Sequence, residues 1–78
     1  MLPAPLPILI VETLKRKGTP LKDTDLFKEI KQLIEDDLSP KEFNKALMIL
    51  EIRKVVYVET IKKDLRLVHL LEDKRSPR

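Results

Sequence analysis

Apolar residues recur at helical spacing near the start of the chain and end in a helix stop signal. The positions of this first run are Leu6, Leu9, Ile10, Val11 and Leu14. The basic residues 15–17 suit the negative end of a helix dipole, and Gly18 can adopt the left-handed conformation that closes a last turn. The pattern predicts helix one over residues 5–17.

A second helix is predicted over residues 24–35. Pro20 prevents helix one from continuing, so residues 19–22 are expected to be short and extended. Asp23 or Thr24 offers a side-chain oxygen that can cap the helix that follows. Its apolar stripe consists of Leu26, Phe27, Ile30, Leu33 and Ile34.

The most explicit start signal in the chain precedes helix three. Ser39 has the residue type of an N-cap, Pro40 occupies the first helical position, and Glu42 completes a capping box. Leu38 and Phe43 occupy the two positions of a hydrophobic staple. Helix three is expected to end near residue 53, with an inner face of Phe43, Ala46, Leu47 and Leu50.

From Val55 onward the pattern changes to that of extended strands. Residues 55–58 are β-branched or aromatic, and residues 65–71 form a second extended run. A connection over residues 60–64 would join them in a β-hairpin. The ends, residues 1–4 and 72–78, are expected to be flexible, so the sequence predicts a single α+β domain over residues 1–78.

Composition restricts the classes of function. The 78 residues contain no cysteine and one histidine, so thiol nucleophiles, disulfides and a conventional metal cage are not expected. The chain has no serine, histidine and acid arrangement and no glycine-rich phosphate loop, and neither an enzyme, a cofactor nor a small-molecule substrate is expected. Since no apolar stretch approaches the about 20 residues that span a bilayer and no signal-peptide pattern is present, a soluble protein is expected. The lack of cysteine favours the cytoplasm as its compartment.

Charge adds two expectations. Charged residues make up 37% of the chain, while Gln32 and Asn44 are its sole amides. This bias is typical of heat-adapted proteins with many surface ion pairs, and it points to an archaeal thermophile as the source. The net charge of +3 permits a polyanionic partner, but the basic excess is small, so the distribution of the charges must decide.

The order helix, extended segment, helix, turn, helix and hairpin resembles the winged helix-turn-helix family over nearly the whole chain. Residues 43–58, FNKALMILEIRKVVYV, are the most similar to small archaeal winged-helix proteins. The resemblance implies that helix three enters a major groove while the hairpin, or wing, contacts the backbone or the minor groove. One position departs from the family pattern, because Lys54 stands where glycine is frequent. If the backbone there needs a positive φ, the lysine carries a strain of about 1 kcal/mol.

Candidate nucleic-acid contacts lie on the outward face of helix three and on the hairpin. On helix three they are Lys41, Asn44 and Lys45, of which the amide could read adenine and the lysines guanine or phosphate. On the hairpin they are Lys62, Lys63 and Arg66 around the tip, with Arg53 and Lys54 at the base. DNA or structured RNA, as in a ribosome, would fit such contacts. Lysines that protect an edge hairpin from strand pairing explain the basic tip equally well.

Other features favour a protein partner. Met48 and Ile52 make the outer face of helix three apolar, and the acidic residues 35–37 before it would repel a phosphate backbone. The start of the chain is rich in proline and carries more apolar surface than one small core needs. The apolar residues concerned are Leu2, Leu6, Ile8 and Leu9. A homodimer contact, docking onto a larger assembly, or a tail folded over its own core would account for them.

His69 and Tyr57 are interpreted as structural residues. His69 shares its face of the second strand with leucines, which favours a partly buried histidine over a ligand or a base. Tyr57 could stack on a base, but packing against the wing is the preferred interpretation.

Overall fold

The structure, a computed structural model, describes residues 5–34 and 37–71. Within these residues three helices pack around one apolar core, and a three-stranded antiparallel sheet covers one side of it. The helices are α1 (Leu6–Lys17), α2 (Asp23–Leu33) and α3 (Pro40–Ile52). The strands are β1 (Leu21–Lys22), β2 (Val56–Lys62) and β3 (Leu65–Leu70). The α+β class predicted from the sequence is confirmed.

The ends of α1 lie within one residue of the prediction. The first helical bond runs from the Leu9 N–H to the Pro5 carbonyl at 3.1 Å. At the other end Gly18 adopts φ 74°, and its N–H donates to the Leu14 carbonyl at 3.0 Å. This is the left-handed cap expected of glycine, which adopts a positive φ without steric cost.

α2 differs from the prediction at both ends. It begins at Asp23, and its N-cap Lys22 is extended without a side-chain cap. The predicted cap at Asp23 or Thr24 is wrong, because the Asp23 carboxylate accepts hydrogen bonds from Arg66. The predicted end at residue 35 is also wrong, since Ile34 is already extended with φ −98° and ψ 122° and its side chain is buried.

The start of α3 agrees with its sequence signal. The backbone N–H of Glu42 donates to the Ser39 Oγ at 3.1 Å, which satisfies one of the free donors of the first turn. Leu38 and Phe43, the two staple positions, are both buried in the same core cluster. The direction in which the chain enters α3 is therefore set by residues adjacent to its cap.

α3 ends in a Schellman motif that has lysine at its left-handed position. The Val55 N–H donates to the Leu50 carbonyl at 2.9 Å, and the Lys54 N–H donates to the Glu51 carbonyl at 3.0 Å. Lys54 has φ 63°, a conformation that is strained for any residue with a Cβ. The sequence did not determine whether the backbone at Lys54 has a positive φ, and the structure shows that it does.

The sheet has the strand order β1-β3-β2, so the hairpin also pairs with the short strand between α1 and α2. In β1, Leu21 lies opposite Val68 of β3. The predicted hairpin connection over residues 60–64 is too long, because strand pairing continues to Lys62 and the turn consists of residues 63–64. The register shifts between Thr60 and Lys62, as in a β-bulge, which explains why simple alternation ends early.

The core draws on every helix and on the inner face of the hairpin. Phe43 meets Phe27 edge to face, with ring centroids 5.3 Å apart. Leu33, the last residue of α2 and predicted to belong to its apolar stripe, is instead exposed. The buried apolar residues are Leu9, Ile10, Leu14, Leu26, Ile30, Ile34, Leu38, Phe43, Ala46, Leu47, Leu50, Val56 and Val68.

Candidate functional site

The outer face of α3 is polar in its first half and apolar in its second. The four residues predicted to face inward are all buried, which leaves Lys41, Asn44 and Lys45 exposed on the first turns. Further along, Met48 and Ile52 are 57% and 71% exposed, and Ile49, which was not predicted as a contact, is partly exposed as well. One helix thus presents two surfaces of different chemistry.

The basic residues of the hairpin lie at its two ends. Arg53 and Lys54 precede β2, whereas Lys62 and Lys63 lie at the end of β2 and in the turn. All four are exposed, and none forms an ion pair within residues 5–34 and 37–71. Residues 55–61 separate Lys54 from Lys62, which corresponds to about 25 Å at the usual rise of an extended chain. A single polyanion contacts both pairs only if it runs along the hairpin.

Arg66 does not belong with these free cations, in contrast to the prediction. Its Nε and Nη2 atoms both donate to Asp23 Oδ2, at 3.0 and 2.8 Å. Arg66 lies opposite Thr60 in the register and two residues from the buried Val68, so it shares the inner face of the sheet. That position directs its guanidinium towards the start of α2 and away from the tip.

Asn44 takes part in the same arrangement. Its Oδ1 accepts a long hydrogen bond of 3.4 Å from Arg66 Nη2. Reading adenine requires the amide to donate and to accept at the same time. With its oxygen turned to Arg66, Asn44 presents mainly its NH₂ donors, which suit a phosphate or a guanine edge better than adenine.

Two further cations, at the end of α1, share one carboxylate of α2. Lys17 Nζ lies 3.3 Å from Glu29 Oε2, and Arg16 Nη2 lies 4.0 Å from Glu29 Oε1. Both pairs are substantially exposed, so their contribution to stability is small. Because a single carboxylate serves both cations and Lys15 in the same turn is exposed as well, the end of α1 keeps a net positive charge.

An apolar groove lies between the start of α1, residues 37–38 and α3. It has a volume of about 440 Å³, and its wall includes Leu6, Leu38 and Ile49, with Lys45 and Glu42 also lining it. The groove was not predicted, because its wall combines residues of three separate segments. Its position beside the exposed second half of α3 extends the apolar surface of that helix.

The predicted apolar contacts near the N-terminus are only partly on the surface. Ile8 is exposed and Leu6 is half-buried. Leu9, which was also predicted as a contact, packs in the core instead and is only 8% exposed, so it offers a partner little surface. Leu2, with the rest of residues 1–4, lies outside the described residues, as do Glu35, Asp36 and residues 72–78.

The interpretation of His69 as a structural residue agrees with its contacts. His69 Nε2 lies 2.8 Å from Glu59 Oε1 on the neighbouring strand, and its ring lies 5.6 Å from that of Tyr57 at a tilt of 41°. These contacts connect β2 and β3 on the outer face of the sheet. Tyr57 contacts His69 on the adjacent strand and is 51% exposed.

In residues 5–34 and 37–71 no group of three or more histidine and acidic side chains is placed to hold a metal ion. None of the helices described has the length and apolar character that crossing a bilayer requires.

Comparison of the chain with protein-family models, with curated proteins and with solved structures found no match.

Proposed function

We propose that this chain is a non-catalytic winged helix-turn-helix domain that binds nucleic acid through its hairpin and the first half of α3. The order of elements supports the fold assignment, since α1, β1, α2, α3 and the hairpin follow one another as in that family. Pairing of β1 with β3 supports it further, because the short strand between the first two helices then completes the sheet. The domain would correspond to a small archaeal protein of the cytoplasm.

The observation that carries the proposal is the set of unpaired basic residues on the hairpin. Lys62 and Lys63 project from the tip and Arg53 and Lys54 from the base, where no acidic partner among the described residues neutralises them. A lysine that contacts a phosphate releases a condensed counterion, which favours binding entropically. Such contacts position a protein on nucleic acid without reading its sequence.

The first half of α3 adds contacts of a second kind. Lys41, Asn44 and Lys45 are exposed donors on consecutive turns, and donors are what phosphates and guanine edges accept. The second half of α3, with Glu51 beside two exposed apolar residues, fits a groove of bases poorly. The partner is therefore a duplex recognised mainly through its backbone, either DNA in a transcriptional setting or structured RNA in a ribonucleoprotein.

The test is a fluorescence anisotropy titration of labelled duplex DNA and of a structured RNA at several salt concentrations. Lys62→Met and Lys63→Met should each weaken binding and lower the slope of log K against log salt by about 0.9 on duplex DNA. Lys28→Met removes the same charge from an exposed position of α2 and serves as the matched control. The proposal fails if neither ligand binds below high micromolar concentration at low salt, or if reversing the charges of the tip changes nothing.

A second candidate function is docking onto another protein, or onto a second copy of this chain. The observation that favours it is the apolar surface of Met48, Ile49 and Ile52, which continues into the adjoining groove. Burying such a surface is the usual reason for its presence on a small domain. Sedimentation over a range of concentrations tests the homodimer, since Ile52→Gln should shift self-association towards monomer. A mass that stays monomeric at all concentrations removes the homodimer from consideration.

A further inference from the structure

The structure points to Arg66 as a positioning residue that holds the hairpin at a defined angle to α3 through Asp23 and Asn44. We call these three residues the hairpin latch. The inference rests on the proposed nucleic-acid function and deepens it, because it assigns Arg66 a role without contact to phosphate. Through these three residues the hairpin is aligned with the first half of α3.

The latch connects three elements through one guanidinium group. Arg66 is in β3, Asp23 is the first residue of α2, and Asn44 is in the second turn of α3. Two donors of Arg66 reach the same Asp23 oxygen at 3.0 and 2.8 Å, and the longer bond to Asn44 is 3.4 Å. The Asp23 side chain is only 18% exposed, so the pair is less screened by solvent than the other ion pairs of the described residues.

The latch is located where apolar packing no longer holds the hairpin. At the base, Val56 and Val68 are buried against the helices. Towards the tip, residues 60–64 are all exposed. Among the described residues, the side-chain hydrogen bonds between hairpin and helices are those of Arg66. Pairing with β1 holds β3 only as far as Leu67, so nearer the tip the angle to α3 depends on this one side chain.

Charge compensation explains why Arg66 does not turn to a phosphate. Doing so would leave the partly buried Asp23 carboxylate without its two hydrogen-bond donors, which costs free energy. Lys62 and Lys63 form no ion pair with any of the described residues. The free lysines of the tip supply the phosphate contacts, and Arg66 determines where those lysines lie.

Two matched substitutions in the first turn of α2 give opposite expectations. Asp23→Asn and Asp25→Asn each remove one negative charge near the same helix end, but only Asp23 touches Arg66. If Arg66 positions the hairpin, Asp23→Asn weakens binding of duplex DNA about three- to tenfold through lost preorganisation. Asp25→Asn leaves binding unchanged or makes it slightly tighter, because the chain becomes more positive. If Asp23→Asn binds as tightly as Asp25→Asn, or more tightly, the inference is overturned.

The salt dependence gives a second test of the same role. Arg66→Gln should weaken binding while the slope of log K against log salt stays at the wild-type value. A direct phosphate contact would instead lower that slope by about 0.9, as expected for Lys63→Met. Circular dichroism shows whether Arg66→Gln folds, and if it does not, the comparison of the two aspartate variants stands on its own.

Amide hydrogen exchange tests the latch without any ligand. In Asp23→Asn the amides of residues 60–66 should exchange faster than in Asp25→Asn, while Val56 and Leu70 at the base stay protected. If the amides of residues 60–66 exchange at equal rates in the two variants, the inference that Arg66 holds the hairpin is overturned. If the wild-type protein binds no nucleic acid, the proposed function is lost, and exchange alone decides whether Arg66 holds the hairpin.

Discussion

Thr13 allows a sharp test of how the core of this domain is stabilised. Its side chain is fully buried on α1, and its Oγ1 has no hydrogen-bond partner among the residues that the structure describes. In the unfolded chain the same hydroxyl is hydrated, so burying it unpaired costs about 1–3 kcal/mol. Valine has nearly the same shape with a methyl group in that place, and the two residues have similar helix propensities. Thr13→Val should therefore raise the free energy of unfolding by about 1–2 kcal/mol.

The measurement is urea unfolding followed by far-UV circular dichroism, with thermal unfolding beside it. For a domain of this size, each kcal/mol corresponds to a rise in Tm of about 4–8 °C. Two controls separate the hydroxyl from other effects. Thr24→Val, at an exposed position of α2, should change stability by less than about 0.5 kcal/mol. Thr13→Ser keeps the hydroxyl, removes a buried methyl group and should lower stability by about 1 kcal/mol.

The opposite result would refute this reasoning. A Thr13→Val variant that is less stable than the wild type would show that the hydroxyl makes a hydrogen bond in solution. The carbonyl of Leu9, one helical turn earlier, is the natural acceptor for such a bond. An unchanged stability would show that the burial of the hydroxyl has no measurable cost.

Three further substitutions test local features of the fold by the same unfolding assay. Lys54→Gly should raise stability by about 1 kcal/mol, because φ is 63° at this position and glycine adopts a positive φ without strain. Arg53→Gly, at φ −81°, should lower stability, and equal effects of the two substitutions would argue against the left-handed turn. Ser39→Ala should cost about 1 kcal/mol through loss of the cap bond to Glu42, and an unchanged stability would mean that this cap is not formed. Ile30→Val should cost about 1 kcal/mol in the core, against almost nothing for the exposed Ile52→Val.

The sequence determined those parts of the structure that depend on neighbours along the chain. The cap at Ser39, the glycine end of α1 and the inner face of α3 all involve residues within one or two helical turns, and each agrees with its prediction. The existence of the hairpin followed from the strand pattern, and the class of fold followed from the order of elements. These features depend on interactions between residues that are close in the sequence, and such interactions can be inferred from one sequence.

The contacts between elements that are distant in sequence depend on tertiary packing. Asp23 has the features of a helix cap in the sequence, but its carboxylate bonds to Arg66, which lies 43 positions away. Leu9 was expected on the surface and is buried, whereas Leu33 was expected in the core and is exposed. The wall of the apolar groove combines residues of three segments. The physical reason is that the partner of a charged or apolar side chain depends on which residues folding brings near it. The sequence pattern indicates which face of an element is apolar, but it does not indicate which element packs against that face.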